Sequence, residues 1–482
     1  MKQTASAAVR TQLKHPVIDG DGHIVEILPV LVDYLHQVGG DALVARFMRL
    51  INANSPYGDA TGWYGMAADQ RQANRVMRPP FWLVNSADPL ERATTMLPSL
   101  IRSRMDDFGF DFAIMYTSVG IPIATSDDPD LRLGGCRALN LMYRDIFAPH
   151  RDRMLASAVI PMHTPEEAVA EIRHAVQTLG FKTVTIAGCV RRPIAAAQGS
   201  TAARHAHWID PLAVDSLYDY DPVWHTCQDL GVSVATHHSG MGPGWGSRAT
   251  TTNFMYNHIG HFAAGADASC KALFMGGVTR RFPKLNIAFL EGGAGWAASL
   301  LNDITEHWEK RRIRELRAHR DPALLDRAAL AQMFRQHGGG IVKEGRPLED
   351  YDSVFLSKPG ADPEDQLDEW AAAGIARKAD IGVRFLPNFF FGCEADDRMN
   401  GVAFDPRFNP FGAKLNAFLG SDINHWDVPD PTVVLAEAWE LVEKGVLTEA
   451  DFRAFTCGNV HRLHAGMNAA FFAGTSVSAF QP

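Results

Sequence analysis

No apolar run in this chain of 482 residues approaches the length of a membrane span, and no signal-peptide core is present. The expectation is therefore a cytoplasmic protein with no membrane partner. Paired cysteines are also missing. The six present (Cys136, Cys189, Cys227, Cys270, Cys393 and Cys457) show no C-x-x-C spacing, which leaves neither a zinc ribbon nor a disulfide framework and suits a reducing compartment. Positive charge is not in surplus either. The formal net charge is −9, and no basic stripe offsets it, which argues against nucleic acid or an acidic membrane as partner. The one basic knot, Lys310-Arg311-Arg312 with Arg314, Arg317 and Arg320, is interleaved with Glu306, Glu309 and Glu315, as on a solvated helix face. Internal repeats and low-complexity tracts are absent, so the chain does not read as an array.

What remains is a globular chain, 46% hydrophobic, with ample material for a large core. Its length suggests roughly three domains, although barrels commonly exceed that rule as single units. The first eighteen residues carry Lys2, Arg10 and Lys14 and no acid, a weak likeness to a transit peptide, and residues 1–15 are expected to form a flexible tail.

From there strands and helices alternate. Val17, Phe112–Tyr116, Leu155–Ile160, Lys182–Ala187, Val232–Thr236, Leu285–Leu290, Phe385–Phe391 and Ala417–Leu419 read as eight strands. Helical stretches separate them: Met96 to Asp107, Pro165 to Leu179, and Pro222 to Leu230 with Asp221 as its cap. Eight such units predict a parallel sheet closed into a (β/α)8 TIM barrel with long helical insertions, and an active site at the C-terminal strand ends. The insertions fall at about 41–94, 191–220 and 321–369 of a single domain spanning 16–468, with a C-terminal tail over 469–482.

Those strand ends carry metal-ligand chemistry. Asp19-Gly20-Asp21-Gly22-His23 closes the first, and Asp21 and His23, two apart, project from one face of a strand. The fifth ends in His237-His238, the sixth in Glu291, the seventh near Glu394, and the eighth in Gly420-Ser421-Asp422. An oxygen and a nitrogen ligand side by side are half of a metal site.

These pieces, with His238-Ser239-Gly240, Phe289-Leu290-Glu291-Gly292-Gly293-Ala294-Gly295-Trp296 and the closing Gly458-Asn459-Val460-His461-Arg462-Leu463, resemble the amidohydrolase superfamily. The similar branch holds the aminocarboxymuconate-semialdehyde decarboxylase-like enzymes. The resemblance spans about residues 16–468. It implies Asp21, His23, His238 and Asp422 as ligands of a divalent metal that activates water, with Asp422 also as the base. His238 is preferred over His237 because alternation would put it on one face with Val232, Val234 and Thr236.

Two departures matter. The relatives carry His where Glu291 stands here, and often a second His at Asp21. The missing strand-six His counts against decarboxylation. The set Asp21, His23, His238, Glu291 and Asp422 is oxygen-rich and suits iron or manganese, with zinc still open, at one or two ions per chain. Glu26 and Glu394 could extend it to a second ion. Glu291 could instead pair with the backbone N–H groups of Gly292 to Gly295 at a helix start. Gly293-Ala294-Gly295-Trp296-Ala297-Ala298 also fits a dinucleotide fingerprint, but no second strand follows to complete the unit.

Around the site, Arg248 could grip a substrate carboxylate or tie loops together, and Arg191-Arg192 carry the same two readings. Tyr116 could line the pocket or be a core aromatic with a bonded hydroxyl. His425 and Trp426 could form the pocket wall. His258 and His261, three apart, read as packing or subunit contact on one helix face.

The function expected is a metal-dependent hydrolase acting through activated water, with Asp422 and Glu291 catalytic, on a small carboxylated or cyclic substrate. A dinuclear iron (or iron/manganese) oxygenase, a non-oxidative decarboxylase and a non-catalytic subunit of a heteromer are the alternatives. A homo-oligomer, or a heteromer with a related chain, is expected.

Overall fold

Strands that are apolar on both faces have to be covered on both, and this chain meets that demand by closing its sheet on itself. The structure, a computed structural model, describes residues 3–54, 63–79, 87–201, 203, 206–237, 250–341, 343, 345, 367–425 and 427–481. The barrel strands are β1 (Ile18–Ile24), β2 (Phe112–Thr117), β3 (Met154–Ala156) continuing as β4 (Ala158–Val159), β5 (Thr183–Ile186), β8 (Ser233–Thr236), β9 (Ile287–Phe289), β10 (Phe389–Cys393) and β11 (Asn416–Leu419). Every neighbouring pair is parallel. The third stave switches partner at Ser157, pairing first with β2 and then with β5. Between the last stave and the first, Asp422 N donates to Asp21 O at 3.0 Å and His23 N to Ile423 O at 3.1 Å. The (β/α)8 barrel expected from the eight alternating units is therefore the fold.

Alternation sorts the core into two layers. Ile18, Phe112, Ile114, Tyr116, Ala235, Ala288, Leu290, Phe390 and Phe418 fill the barrel, whereas Ala113, Met115, Val234, Ile287, Phe289 and Phe391 face the surrounding helices. Outside, the long helix Leu28–Asn54, kinked at Gly39 and Gly40, packs against the helix Pro129–Phe147.

Several expectations need correction. Residues 1–15 are not a free tail: Ala5–Gln12 is a helix whose Ser6 Oγ accepts from Leu435 N at 3.1 Å, and Arg10 bridges Asp111 at 2.6 and 3.0 Å. Nor do residues 469–482 hang free. Phe471, Phe472 and Val477 are buried with Val460 and Leu463 against the barrel interior, closing its N-terminal end. The seventh stave begins at Phe389, because Phe385 ends the helix Lys378–Phe385 and Pro387 intervenes before the strand. The apolar run across both elements hid that boundary. The helix Asp221–Leu230 takes Tyr220, not Asp221, as its cap. The insertion at 191–220 folds into an antiparallel hairpin, β6 (Val190–Pro193) with β7 (His207–Asp210). There Arg192 is a structural tie, bonded to Asp210 at 3.0 Å, to His163 O and to the Tyr220 hydroxyl.

At the closed end His464 Nδ1 lies 2.7 Å from Ser233 Oγ and the ring stacks on Phe471, with centroids 4.4 Å apart. Burial lowers its pKa to about 3, against about 6.5 in an unfolded chain. The folded state then binds fewer protons than the unfolded one across that window. The ring's contribution to stability is complete above about pH 6.5 and is lost as pH falls toward about 3, at up to about 1.4 kcal/mol per pH unit. His464→Gln should flatten the fall in unfolding free energy between about pH 6.5 and 4.5, read by urea titration. An unchanged slope would remove His464 as its source.

Candidate metal centre at the mouth of the barrel

The site is assembled by backbone that departs from regular strand. In β1 the register against β2 slips by one residue between Asp19 and Gly22, a bulge that carries Asp21 and His23 up to the barrel mouth. Gly420 leaves room there, since a Cβ on it would lie 2.8 Å from that of Asp21. Asp19, below them, accepts from Ser421 N at 3.0 Å and Ser421 Oγ at 2.6 Å, and so ties the first stave to the loop after the last. Glu291 and Asp422, directly beyond β9 and β11, both sit at positive φ, 56° and 49°. A side chain held in the left-handed region costs about 1–2 kcal/mol, and such residues gather at functional sites.

The result is a close cluster. His23 Nε2 lies 2.9 Å from Glu291 Oε1, 3.3 Å from Asp422 Oδ1 and 3.4 Å from Asp21 Oδ1. Yet neither that nitrogen nor the Asp21 and Asp422 oxygens makes an aligned hydrogen bond, although all are buried. His425 stacks on His23, ring centroids 3.7 Å apart, and places Nδ1 2.6 Å from Asp422 Oδ1. His237 Nε2 is 3.0 Å from Glu291 Oε1, its ring edge-on to His23 at 5.2 Å. His23, Glu291, Asp422 and His425 together offer donor atoms within 4.8 Å of one another.

The electrostatics explain why such a cluster calls for a cation. Burial pushes Asp21 and Asp422 up, and the Glu291 carboxylate pushes both further; Asp427 adds to the shift of Asp422. Burial also acts on Glu291, but His237 and His23 hold it well below the ordinary carboxylate range. Burial would lower His23, yet Asp21 and Glu291 raise it to about 10, so this ring supplies a positive charge among three carboxylates. A divalent cation meets the same demand better, using lone pairs already aimed inward. The donor set fits such an ion.

Asp21, His23, Glu291 and Asp422 thus come together as the sequence suggested. His238 and Arg248 lie outside the described residues, as does Trp426. The alternation assumed for β8 is off by one: Ala235 lines the interior and Val234 faces the helices, which brings the less favoured His237 to the inner face. With both faces buried, hydrophobicity cannot distinguish the two registers. Tyr116 is fully buried and points inward with its ring 6.3 Å from His23, but its hydroxyl has no partner among the described residues, contrary to the bonded aromatic considered from sequence. His425, expected as pocket wall, belongs to the cluster itself. Its signal was its place three residues after Asp422.

Glu26 is spent elsewhere. Its carboxylate accepts from Thr117 Oγ1, the Tyr143 hydroxyl, Ser118 N and Val119 N, and so is engaged in that turn rather than in the cluster. Glu394 stands at the rim beyond β10, outside the cluster of donors. Glu291 faces His23 at 2.9 Å and His237 at 3.0 Å, and among the described residues no hydrogen bond joins its carboxylate to the amides of Gly292 to Gly295. His258 and His261 belong to different helices, Phe254–His258 and His261–Met275, not to one face. His258 approaches Asp427 at 3.7 Å, and Phe262 between the two helices and His237 packs edge-on to that ring at 5.7 Å.

Comparison with known proteins agrees with this architecture. The sequence family described as Amidohydrolase matches residues 18–342. Among solved structures, an amidohydrolase from Mycobacterium avium subsp. paratuberculosis K-10 is 15% identical, covering 94% of this chain and 99% of that one, with a TM-score of 0.51. A dihydroxybenzoic acid decarboxylase from Polaromonas sp. JS666, solved with manganese and the inhibitor 2-nitroresorcinol, is 15% identical over 95% of this chain and 99% of that one, with a TM-score of 0.50. At such identities the likeness speaks for the fold. No described helix is long and apolar enough to cross a membrane.

The crowding of carboxylates makes a testable demand on the metal-free protein. Asp422→Asn should melt no lower than the parent, because it replaces a carboxyl whose charged form burial and Glu291 already disfavour. Excess Mn2+ should stabilise the parent, by about 2.7 kcal/mol at a hundred times its Kd, and stabilise the variant far less. Thermal melts with and without the ion check both; a parent indifferent to every divalent cation tried would count against the centre.

Proposed function

Because the chain belongs to the amidohydrolase family, we propose that it is a metal-dependent hydrolase that turns water on a small carboxylated or cyclic substrate. The observation that carries this reading is His23 Nε2, set within 3.4 Å of oxygens from three carboxylates with no aligned hydrogen bond to any. Asp21, His23, Glu291, Asp422 and His425 would hold the ion, joined by His237 or His238. When bound, a divalent cation brings the pKa of its water from near 16 toward roughly 7.

The protein's own groups do the rest. Asp422, whose burial and charged neighbours strengthen its hold on a proton, takes the proton of the attacking water at Oδ1. Asp422 then passes that proton to the leaving group, while His425 Nδ1, 2.6 Å from the same oxygen, serves as a donor to the ion. Glu291 keeps its charge beside His23 and His237. The apolar barrel floor of Leu290, Phe390 and Phe418 keeps bulk water from the site's underside. Arg248, in the loop after β8, is the candidate grip for a substrate carboxylate.

One feature of the site favours a second reading. Three carboxylates and up to three imidazoles exceed the four donors of a tetrahedral zinc site and suit iron or manganese, so an iron oxygenase on this barrel is the alternative. Decarboxylation, the reaction named for the Polaromonas relative, is the third outcome of the same experiment.

A panel of small carboxylated lactones and amides, turned over in 18O-labelled water, separates the three. Hydrolysis places one 18O in product for each bond cleaved. Oxygen consumption with label from O2 instead points to the oxygenase, and CO2 release without solvent oxygen to the decarboxylase. Asp422→Ala should abolish turnover while leaving the circular dichroism spectrum unchanged; near-normal activity would refute its role. Elemental analysis of protein purified without added metal should find one ion per chain, and two irons would favour the oxygenase.

A further inference from the structure

The two nitrogens of His425 meet different surroundings. Nδ1 faces the cluster, 2.6 Å from Asp422 Oδ1 and 3.6 Å from Glu291 Oε1. Nε2 faces outward, 3.3 Å from Ser118 Oγ. Which nitrogen of the neutral ring carries the proton is decided by that serine. A hydroxyl has one hydrogen to give, and Ser118 gives it to the backbone oxygen of Ile24 at 3.0 Å. Its Oγ then offers Nε2 only lone pairs, so Nε2 is the N–H and Nδ1 is bare. On the other side of the ring, Nδ1 approaches Asp422 Oδ1 without the alignment of an N–H donor.

Ser118 does not hold this position by itself. It is the first residue beyond β2, in a turn clamped by the buried Glu26. That carboxylate accepts from Thr117 Oγ1 at 2.5 Å, from Ser118 N at 3.2 Å, from Val119 N at 3.1 Å, and from the Tyr143 hydroxyl. Gly120 N closes the turn onto Thr117 Oγ1 at 2.6 Å. Burial, opposed by these donors, raises the pKa of Glu26, so the clamp relies on hydrogen bonds rather than on a partner of opposite charge. None of these groups touches the reacting atoms of the proposed hydrolysis.

We propose that Ser118, seated by Glu26, is a positioning residue that locks His425 in the Nε2–H tautomer, so that Nδ1 meets the cluster as a lone pair. The consequence rests on the metal reading above. Only a bare Nδ1 can ligate a cation or take a proton from Asp422, whereas the opposite tautomer can do neither. The tautomer itself belongs to the metal-free protein and can be read there.

The test has two arms on the full chain. Long-range 1H–15N spectra of histidine-labelled, metal-free protein, with the His425 signals identified by their loss in His425→Gln, should show a protonated Nε2 and a bare Nδ1. Ser118→Thr should keep that pattern, and Ser118→Ala should mix the two tautomers. In calorimetric titrations with Mn2+ and with Zn2+, Ser118→Ala should bind about 10–100-fold more weakly than the parent, and Ser118→Thr should recover the affinity. A protonated Nδ1 in the parent overturns the proposal, and so does a Ser118→Ala protein that matches the parent in either readout. A parent that binds neither ion sinks the metal reading instead, and the spectra alone then decide the tautomer.

Discussion

Three carboxylates largely shielded from solvent and set side by side are the constraint from which the rest of this site follows. Asp21, Glu291 and Asp422 are brought to the same few ångströms at the barrel mouth, and the charge on His23 opposes them. Buried like charges persist only if the scaffold holds them there more firmly than they repel. The bulge in β1, the positive φ angles of Glu291 and Asp422, and the hydrogen bonds from Ser421 to Asp19 are the means by which it does so. The bulge and the positive φ angles are locally unfavourable, and the hydrogen bonds from Ser421 to Asp19 help to hold them in place.

The barrel and the cluster therefore stabilise different things. Apolar side chains inside and outside the staves provide the cohesion, while the mouth carries strain and uncompensated charge. That separation is typical of barrels, where conservation of the frame leaves the loops free to vary their chemistry. It also explains why donors on four separate staves can be held so close without any of them packing like core residues.

Much of this was legible in the amino-acid order, because the signals were local. β-branched and aromatic runs bounded by Pro and Gly located all eight staves, and ligand-type residues at their ends located the site. What was not legible depended on choices that hydrophobicity does not encode. Val232 to Thr236 is buried on both faces, so nothing in its pattern distinguished Ala235 inward from Val234 inward, and the prominence of His237 went with that ambiguity. Phe385 and Phe389 sit in one apolar stretch, yet Pro387 divides a helix from a strand. His425 looked like pocket wall because its stacking on His23 joins the last stave to the first. Glu26, a plausible ligand by type, turned out to be consumed by Tyr143 and the turn at Ser118, partners about a hundred positions away.

The tie between Asp19 and Ser421 spans 402 positions of the chain. Asp21 and His23 belong to the first stave, whereas Asp422 and His425 follow the last. On the metal reading proposed above, no cation would be held in full until those two staves are joined. Occupancy of the centre would then report that the cylinder is sealed.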